Sequence, residues 1–188
     1  MKQILIKDES VSGDDCETLI QWFESHQDKQ QPGQVGSERT DTTVKVSVDI
    51  PRWFRLQEMP ENIISKAILA GGMQYQEERK HIFNTLSTMV LDDSYVFQRY
   101  HPNEGFFKLH CENTNPNNMM RTLAWMIYLN DVPDGGTRFS EQDFDCEARQ
   151  GRLIIWPAYF THMHQGIISK THTKYIATGW VNWNVPLD

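Results

Sequence analysis

Cysteine is scarce in this 188-residue chain, and its three copies, Cys16, Cys111 and Cys146, are odd in number and far apart. With no CxxC pair, they suggest neither a disulfide framework nor a zinc knuckle. Long apolar runs are missing as well: none approaches the ~18–20 residues of a membrane span. The opening MKQILIKDES carries acid too early for a secretory signal. Basic residues are outnumbered, 18 Lys and Arg against 25 Asp and Glu, a net charge of −7. Nucleic acid and anionic membrane surfaces call for clustered excess Lys and Arg, so neither partner is expected. Internal repeats are absent. These exclusions leave a soluble, reduced, intracellular globular protein, expected in the cytoplasm and fitting a single domain over 1–188. Aromatics, by contrast, are plentiful: 6 Trp, 6 Tyr and 9 Phe can furnish an independent core.

Read along the chain, Met1–Lys7 alternates as a short strand, and Ser12 or Asp14 can cap a following helix. Cys16, Leu19, Ile20 and Phe23 then recur at helical spacing on one apolar face. The stretch from about 28 to 43 is almost devoid of apolar residues and reads as a mobile loop. Val44, Val46 and Val48 alternate as a strand. Met59-Pro60-Glu61 opens a second helix that Gly71-Gly72 is expected to stop, and Glu77–Val90 reads as a third. Residues 1–90 thus read as supporting helices and strands. From Tyr95 the character changes. Short β-rich runs (95–100, 106–112, 122–130, 151–156 and 175–180) alternate with turn chemistry at Pro102–Gly105, Asn115–Asn118 and Pro133–Gly136. Many short strands with frequent turns predict an antiparallel sandwich or barrel over 95–184, hence a mainly β, α+β fold.

Histidine placement carries the chemistry. His26, His81, His101 and His172 lie in polar or helical contexts and call for no functional explanation. His110, Glu112 and the run Thr161-His162-Met163-His164 fall in the β region. Residues i and i+2 of a strand share a face, so His110 and Glu112 are expected side by side. Either His162 or His164 can bring a second imidazole from another strand. Two His and one carboxylate on one side of an ion make the facial triad of non-haem Fe(II) oxygenases. Taken alone, an HxE pair is also a common solvent-facing polar pair.

The company these residues keep resembles a family. Tyr100-His-Pro-Asn-Glu-Gly-Phe-Phe-Lys-Leu-His110-Cys-Glu112 comes first, followed by Arg121 through Met126-Ile-Tyr128-Leu-Asn130 and then Gly135-Gly136-Thr137-Arg-Phe139. Gly151-Arg-Leu-Ile-Ile-Trp156-Pro157, His164-Gln-Gly166 and Lys174-Tyr-Ile-Ala-Thr178-Gly-Trp180 complete the set in order. Over nearly half its length the chain is similar to the catalytic core of Fe(II)- and 2-oxoglutarate-dependent dioxygenases, in particular the prolyl 4-hydroxylase-like branch with its compact microbial, phage or viral members.

The resemblance implies a double-stranded β-helix, or jelly roll, with N-terminal supporting helices. It implies iron ligation by His110, Glu112 and His164, with His162 in reserve or orienting a ligand from behind. Lys174 would pair with the distal carboxylate of 2-oxoglutarate, its spacing of ten residues from His164 matching the family. Tyr128 would share that carboxylate, Tyr100 would stand at the pocket rim, and Thr178 and Trp180 would line the same wall. The cofactors implied are Fe(II), 2-oxoglutarate and O2, with ascorbate as an accessory reductant. The reaction implied is hydroxylation of an unactivated C–H bond, most simply of a peptidyl proline, with a small molecule as the other substrate class. A viral chain would act in the host cytoplasm. One departure stands out: the family's His-x-Asp is His110-Cys-Glu112 here, one methylene longer. Retaining a carboxylate argues against a halogenating relative. A catalytically impaired jelly-roll binding module is the rival from another class, and a cupin working without 2-oxoglutarate is the third reading. Loops around the barrel mouth, Gln27–Thr43, Pro102–Gly105 and Asn113–Met120, are the candidates for gripping substrate.

Overall fold

A computed structural model describes residues 3–36 and 39–184. In chain order its strands are β1 (Leu5–Lys7), β2 (Gln31–Pro32), β3 (Lys45–Val46), β4 (Val48–Trp53), β5 (Met89–Tyr100) and β6 (Gly105–Phe106). Then come β7 (Arg121–Tyr128), β8 (Val132–Phe139), β9 (Phe144–Ala148), β10 (Leu153–Pro157), β11 (His164–Ile167) and β12 (Lys174–Trp183). Helices α1 (Gly13–Ser25), α2 (Met59–Glu78) and α3 (Lys80–Phe83) fall among the first five strands. Seven strands form one antiparallel sheet in the order β1-β10-β7-β12-β5-β4-β2. A three-stranded sheet, β11-β8-β9, and the β3-β6 pair complete the double-stranded β-helix, with the helices laid on the outer side of the large sheet.

Strand alternation sorts the aromatics into two cores. On β7, Trp125 and Ile127 face the helices, joining Leu19 and Phe23 of α1, Ile64 and Ile68 of α2 and Tyr95 and Phe97 of β5. Ala124, Met126 and Tyr128, the intervening residues, face into the barrel with Phe139, Ile154, Trp156 and Ile176. Each fully buried large apolar side chain contributes about 1.5–3 kcal/mol, so both layers are held by the same period-two pattern. A buried fork adds specificity: Arg52 donates from Nε and Nη2 to the two oxygens of Glu61, both at 2.8 Å, tying β4 to the first turn of α2.

Several elements differ from the sequence expectation. Met1 and Lys2 lie outside the described residues, and the first strand is Leu5–Lys7. Ser12 does cap α1, its side chain accepting from the Asp15 amide. The polar stretch is not featureless: Gln27–Lys29 is a 3-10 turn, β2 pairs with β4, and Val35 bridges Arg39, while Ser37 and Glu38 lie outside the described residues. Gly71-Gly72 does not stop α2, which runs on to Glu78. A Cβ at Gly71 would stand 2.3 Å from Leu153 Cδ2, so that glycine lets the helix settle onto β10. The third helix is one turn, α3, and residues 89–90 already belong to β5. Pro133–Gly136 is not a turn but a bulge inside β8, where the pairing with β9 jumps between Val132 and Thr137 and Gly136 takes φ +120°.

Candidate metal and cosubstrate site

The expected continuous strand over 106–112 is absent, and the site is assembled by an isolated bridge instead. His110 donates its amide to the His164 carbonyl at 2.9 Å and accepts from the His164 amide at 2.8 Å. This mutual pair puts the two imidazoles on one face, ring centroids 4.3 Å apart. Beyond it the chain turns, the Glu112 and Asn113 amides both donating to the Ala158 carbonyl. Glu112 therefore reaches the histidines from a bend rather than from the next position of a strand. The three side chains offer ligand atoms all within 4.8 Å of one another.

The imidazoles are set for metal. His110 Nδ1 lies 2.9 Å from the Lys108 carbonyl and His164 Nδ1 2.9 Å from the His162 carbonyl. A carbonyl only accepts, so both Nδ1 atoms carry a proton there and Nε2 is the nitrogen each ring turns toward Glu112. Phe106 stacks on His110 at 3.9 Å, and Trp156 packs its edge on His164 at 5.1 Å, locking the rings. Glu112 Oε1 lies 3.5 Å from His110 Nε2 and 3.2 Å from His164 Nε2. Its other oxygen accepts from Trp180 Nε1 at 2.8 Å. The extra methylene of Glu over Asp is thus absorbed: one oxygen is anchored on β12 and the other is presented to the histidines. Burial works to raise the Glu112 pKa, but His110 and His164 hold it well below the usual carboxylate range.

These residues open on a cavity of about 730 Å³. Lys174, Ile176, Thr178 and Trp180 line it from alternate positions of β12. Lys174 is buried, and among the described residues its ammonium has no carboxylate partner. Nζ donates only to the Ile167 carbonyl at 3.4 Å and sits 5.2 Å from the Tyr100 ring centroid. Burial pushes its pKa down to about 8. A buried, unpaired cation is costly unless an anion arrives. Gly166 leaves space beside it, since a Cβ there would stand 3.8 Å from Nζ. Two imidazole nitrogens, a carboxylate oxygen and a waiting ammonium across one cavity fit a metal ion with a dicarboxylate.

The other expected residues are placed unevenly. Thr178 lines the cavity while its hydroxyl donates to the Trp125 carbonyl at 2.8 Å. Tyr100 lines it too, with its hydroxyl donated to Gln98 Oε1 at 2.7 Å. Tyr128 is fully buried behind the wall, its hydroxyl 2.7 Å from that of Thr137, which lines the cavity in its place. His162 stands in a 3-10 turn rather than on a strand face with His164, and only its carbonyl serves the site. Two features escape the sequence reading. Arg121 lays its guanidinium 3.5 Å over the Trp180 ring and reaches within 3.7 Å of Glu112 Oε2. Lys45 and Asp49 bring charge to the cavity lining, with Ser47 hydrogen-bonded to Asp49. Their signal was the polar partner of the valine alternation, Lys-Val-Ser-Val-Asp.

Residues 95–182 match the family model of the 2OG-Fe(II) oxygenase superfamily. No curated protein matches the chain by sequence. Among solved structures, the viral collagen prolyl hydroxylase of Paramecium bursaria Chlorella virus-1, in complex with 2OG, aligns at TM-score 0.70 with 18% identity over 97% of each chain. A prolyl hydroxylase from Trichoplax adhaerens, in complex with a hypoxia inducible factor peptide fragment, aligns at 0.76 with 12% identity, over 97% of this chain and 84% of that one. SnoK, a non-heme alpha-ketoglutarate-dependent carbocyclase from nogalamycin biosynthesis, aligns at 0.66 with 11% identity, over 97% and 80%. At such identities the structures speak for the shared double-stranded β-helix. With the match over 95–182 and the His-Glu-His cluster inside it, the core of the chain is similar to the 2OG-Fe(II) oxygenase superfamily, that of a 2-oxoglutarate-dependent dioxygenase, on the double-stranded β-helix it shares with prolyl hydroxylases.

Proposed function

We propose that this protein hydroxylates an unactivated C–H bond in a peptidyl proline, with His110, Glu112 and His164 holding Fe(II) and Lys174 anchoring 2-oxoglutarate. When bound, the iron and cosubstrate supply an oxidant from O2, with 2-oxoglutarate converted to succinate and carbon dioxide. The chain's own contribution is positional. The Lys108 and His162 carbonyls hold the Nδ1 side of each ring, so that Nε2 is the atom offered to the metal, and Trp180 fixes which Glu112 oxygen faces it. Lys174 offers the far carboxylate a charge-assisted hydrogen bond in a site with little water to weaken it. Buried Met126, Ile176 and Trp156 line the cavity, and the exposed amide side chains of Gln34 and Asn117 in the same lining suit a peptide backbone.

The observation that carries this reading is the unpaired buried ammonium of Lys174 in the same cavity as the triad. Anaerobic titration with Fe(II) and 2-oxoglutarate should develop the weak visible charge-transfer band of a chelated cosubstrate. His110→Ala should abolish it by losing metal and Lys174→Ala by losing cosubstrate affinity, at least tenfold. A band unchanged in Lys174→Ala refutes the cosubstrate assignment. Turnover of proline-containing peptides to hydroxyproline, read by mass, tests the substrate.

A further inference from the structure

The cavity lining carries a second charged group that ligation does not use. Lys45, Ser47 and Asp49 point to one side by strand alternation, and Lys45 Nζ meets Asp49 Oδ2 at 2.6 Å, the two side chains 4% and 6% exposed. Ser47 Oγ donates to Asp49 Oδ1 at 2.7 Å and Gln98 Nε2 donates to Oδ2 at 3.3 Å. A buried ion pair is seldom kept for stability alone, because desolvation offsets most of its attraction.

The consequence is directional. A carboxylate only accepts, so Gln98 must turn its N–H toward Asp49, which leaves its amide oxygen facing Tyr100. An amide oxygen also only accepts, so the Tyr100 hydroxyl, 2.7 Å away, must donate its proton there. Toward the cavity Tyr100 then offers lone pairs alone. Its ring pairs across from Lys174 in the β5–β12 register, so this acceptor stands next to the cosubstrate's anchor. A carboxylate would meet it acceptor against acceptor; a ligand N–H would satisfy it. Burial keeps the hydroxyl protonated by pushing its pKa well up, so the polarity does not switch near neutrality.

We propose that the Lys45–Asp49–Gln98 chain makes Tyr100 an acceptor-only wall residue that gives the cosubstrate's carboxylate no hydrogen bond and instead favours a substrate bearing an N–H donor. This inference rests on the reading of the cavity as the 2-oxoglutarate site. Its test is the Kd of 2-oxoglutarate for the Fe(II)-loaded protein under anaerobic calorimetry. Y100F, which keeps the ring, should bind 2-oxoglutarate within threefold of the natural protein. Gln98→Leu frees the hydroxyl to donate to the carboxylate beside Lys174 and should tighten binding at least threefold, a gain that misfolding does not produce. A loss beyond threefold in Y100F, or unchanged or weaker binding in Gln98→Leu, overturns the proposal. Absence of any 2-oxoglutarate binding to the natural protein would overturn the proposed function as well, which separates the two failures.

Discussion

At the scale of single residues, Lys174 is the group whose chemistry the fold has altered most usefully. Burial lowers its pKa from 10.5 to about 8, with no carboxylate beside it among the described residues. Cosubstrate capture needs the ammonium, so affinity is full below about 8 and falls as pH rises through it, approaching tenfold per unit. Calorimetry across pH 7 to 9.5 should show that slope, and Lys174→Arg, charged throughout, should flatten it whatever its absolute affinity. For folding the sign is opposite. Between about 8 and 10.5 the unfolded chain binds the extra proton, so stability increases with pH across that window. The clustering of His110, Glu112 and His164 is legible in residue types at strand spacing, whereas Lys174 is singled out by the family resemblance. The partner of Tyr128 is not legible: its hydroxyl turns to Thr137, and nothing in the local sequence says which buried polar atom a tyrosine will prefer. Gln98 and Asp49, distant in sequence, become neighbours only through the β4–β5 register.

Among the elements, α2 shows how one residue type carries opposite meanings in adjacent positions. The Gly71-Gly72 pair reads as a helix stop because each glycine costs a helix interior about 1 kcal/mol relative to alanine. In the fold the two part company. Gly71 is buried against Leu153 and Ile155, whereas a Cβ at Gly72 meets nothing within 4 Å. Gly72→Ala should therefore stabilise by roughly 1 kcal/mol, raising Tm by about 2–4 °C. Gly71→Val should destabilise by about 1–3 kcal/mol through overpacking against β10. Thermal melts of the two variants check this, and equal effects would show that the contact with β10 is not what the glycine serves. Strand alternation makes the β7 and β12 faces readable in advance, since period two depends only on the chain. Extents are less readable. β5 begins at Met89 because its edge pairs with Trp183, a long-range partner no local window contains. β8 crosses Pro133–Gly136 because a bulge absorbs turn-forming residues without reversing the chain.

On the whole-molecule scale, the candidate metal position is a seam. His164 opens β11 of the small sheet, Trp180 belongs to β12 of the large one, and His110 and Glu112 ride the connection between β6 and β7. The His110–His164 bridge, the two amides on Ala158 and the Trp180–Glu112 hydrogen bond join these segments at the site, while the barrel core joins the two sheets through Phe139, Trp156 and Met126. The helical layer lies on the other side of the large sheet, packed through its own core and the Arg52–Glu61 fork. A bound ion and dicarboxylate would add ties among these three segments. Ligand saturating at about a hundred times its Kd contributes about 2.7 kcal/mol, a melting shift of several degrees for a chain of this size. Its distribution is the sharper test. Amide hydrogen exchange with anaerobic Fe(II) and 2-oxoglutarate should slow at Glu112, Asn113 and His164, while α1 and the first turns of α2 keep their apo rates, because their opening does not pass through the seam. Protection spread evenly over both layers would mean that the metal acts on global unfolding alone.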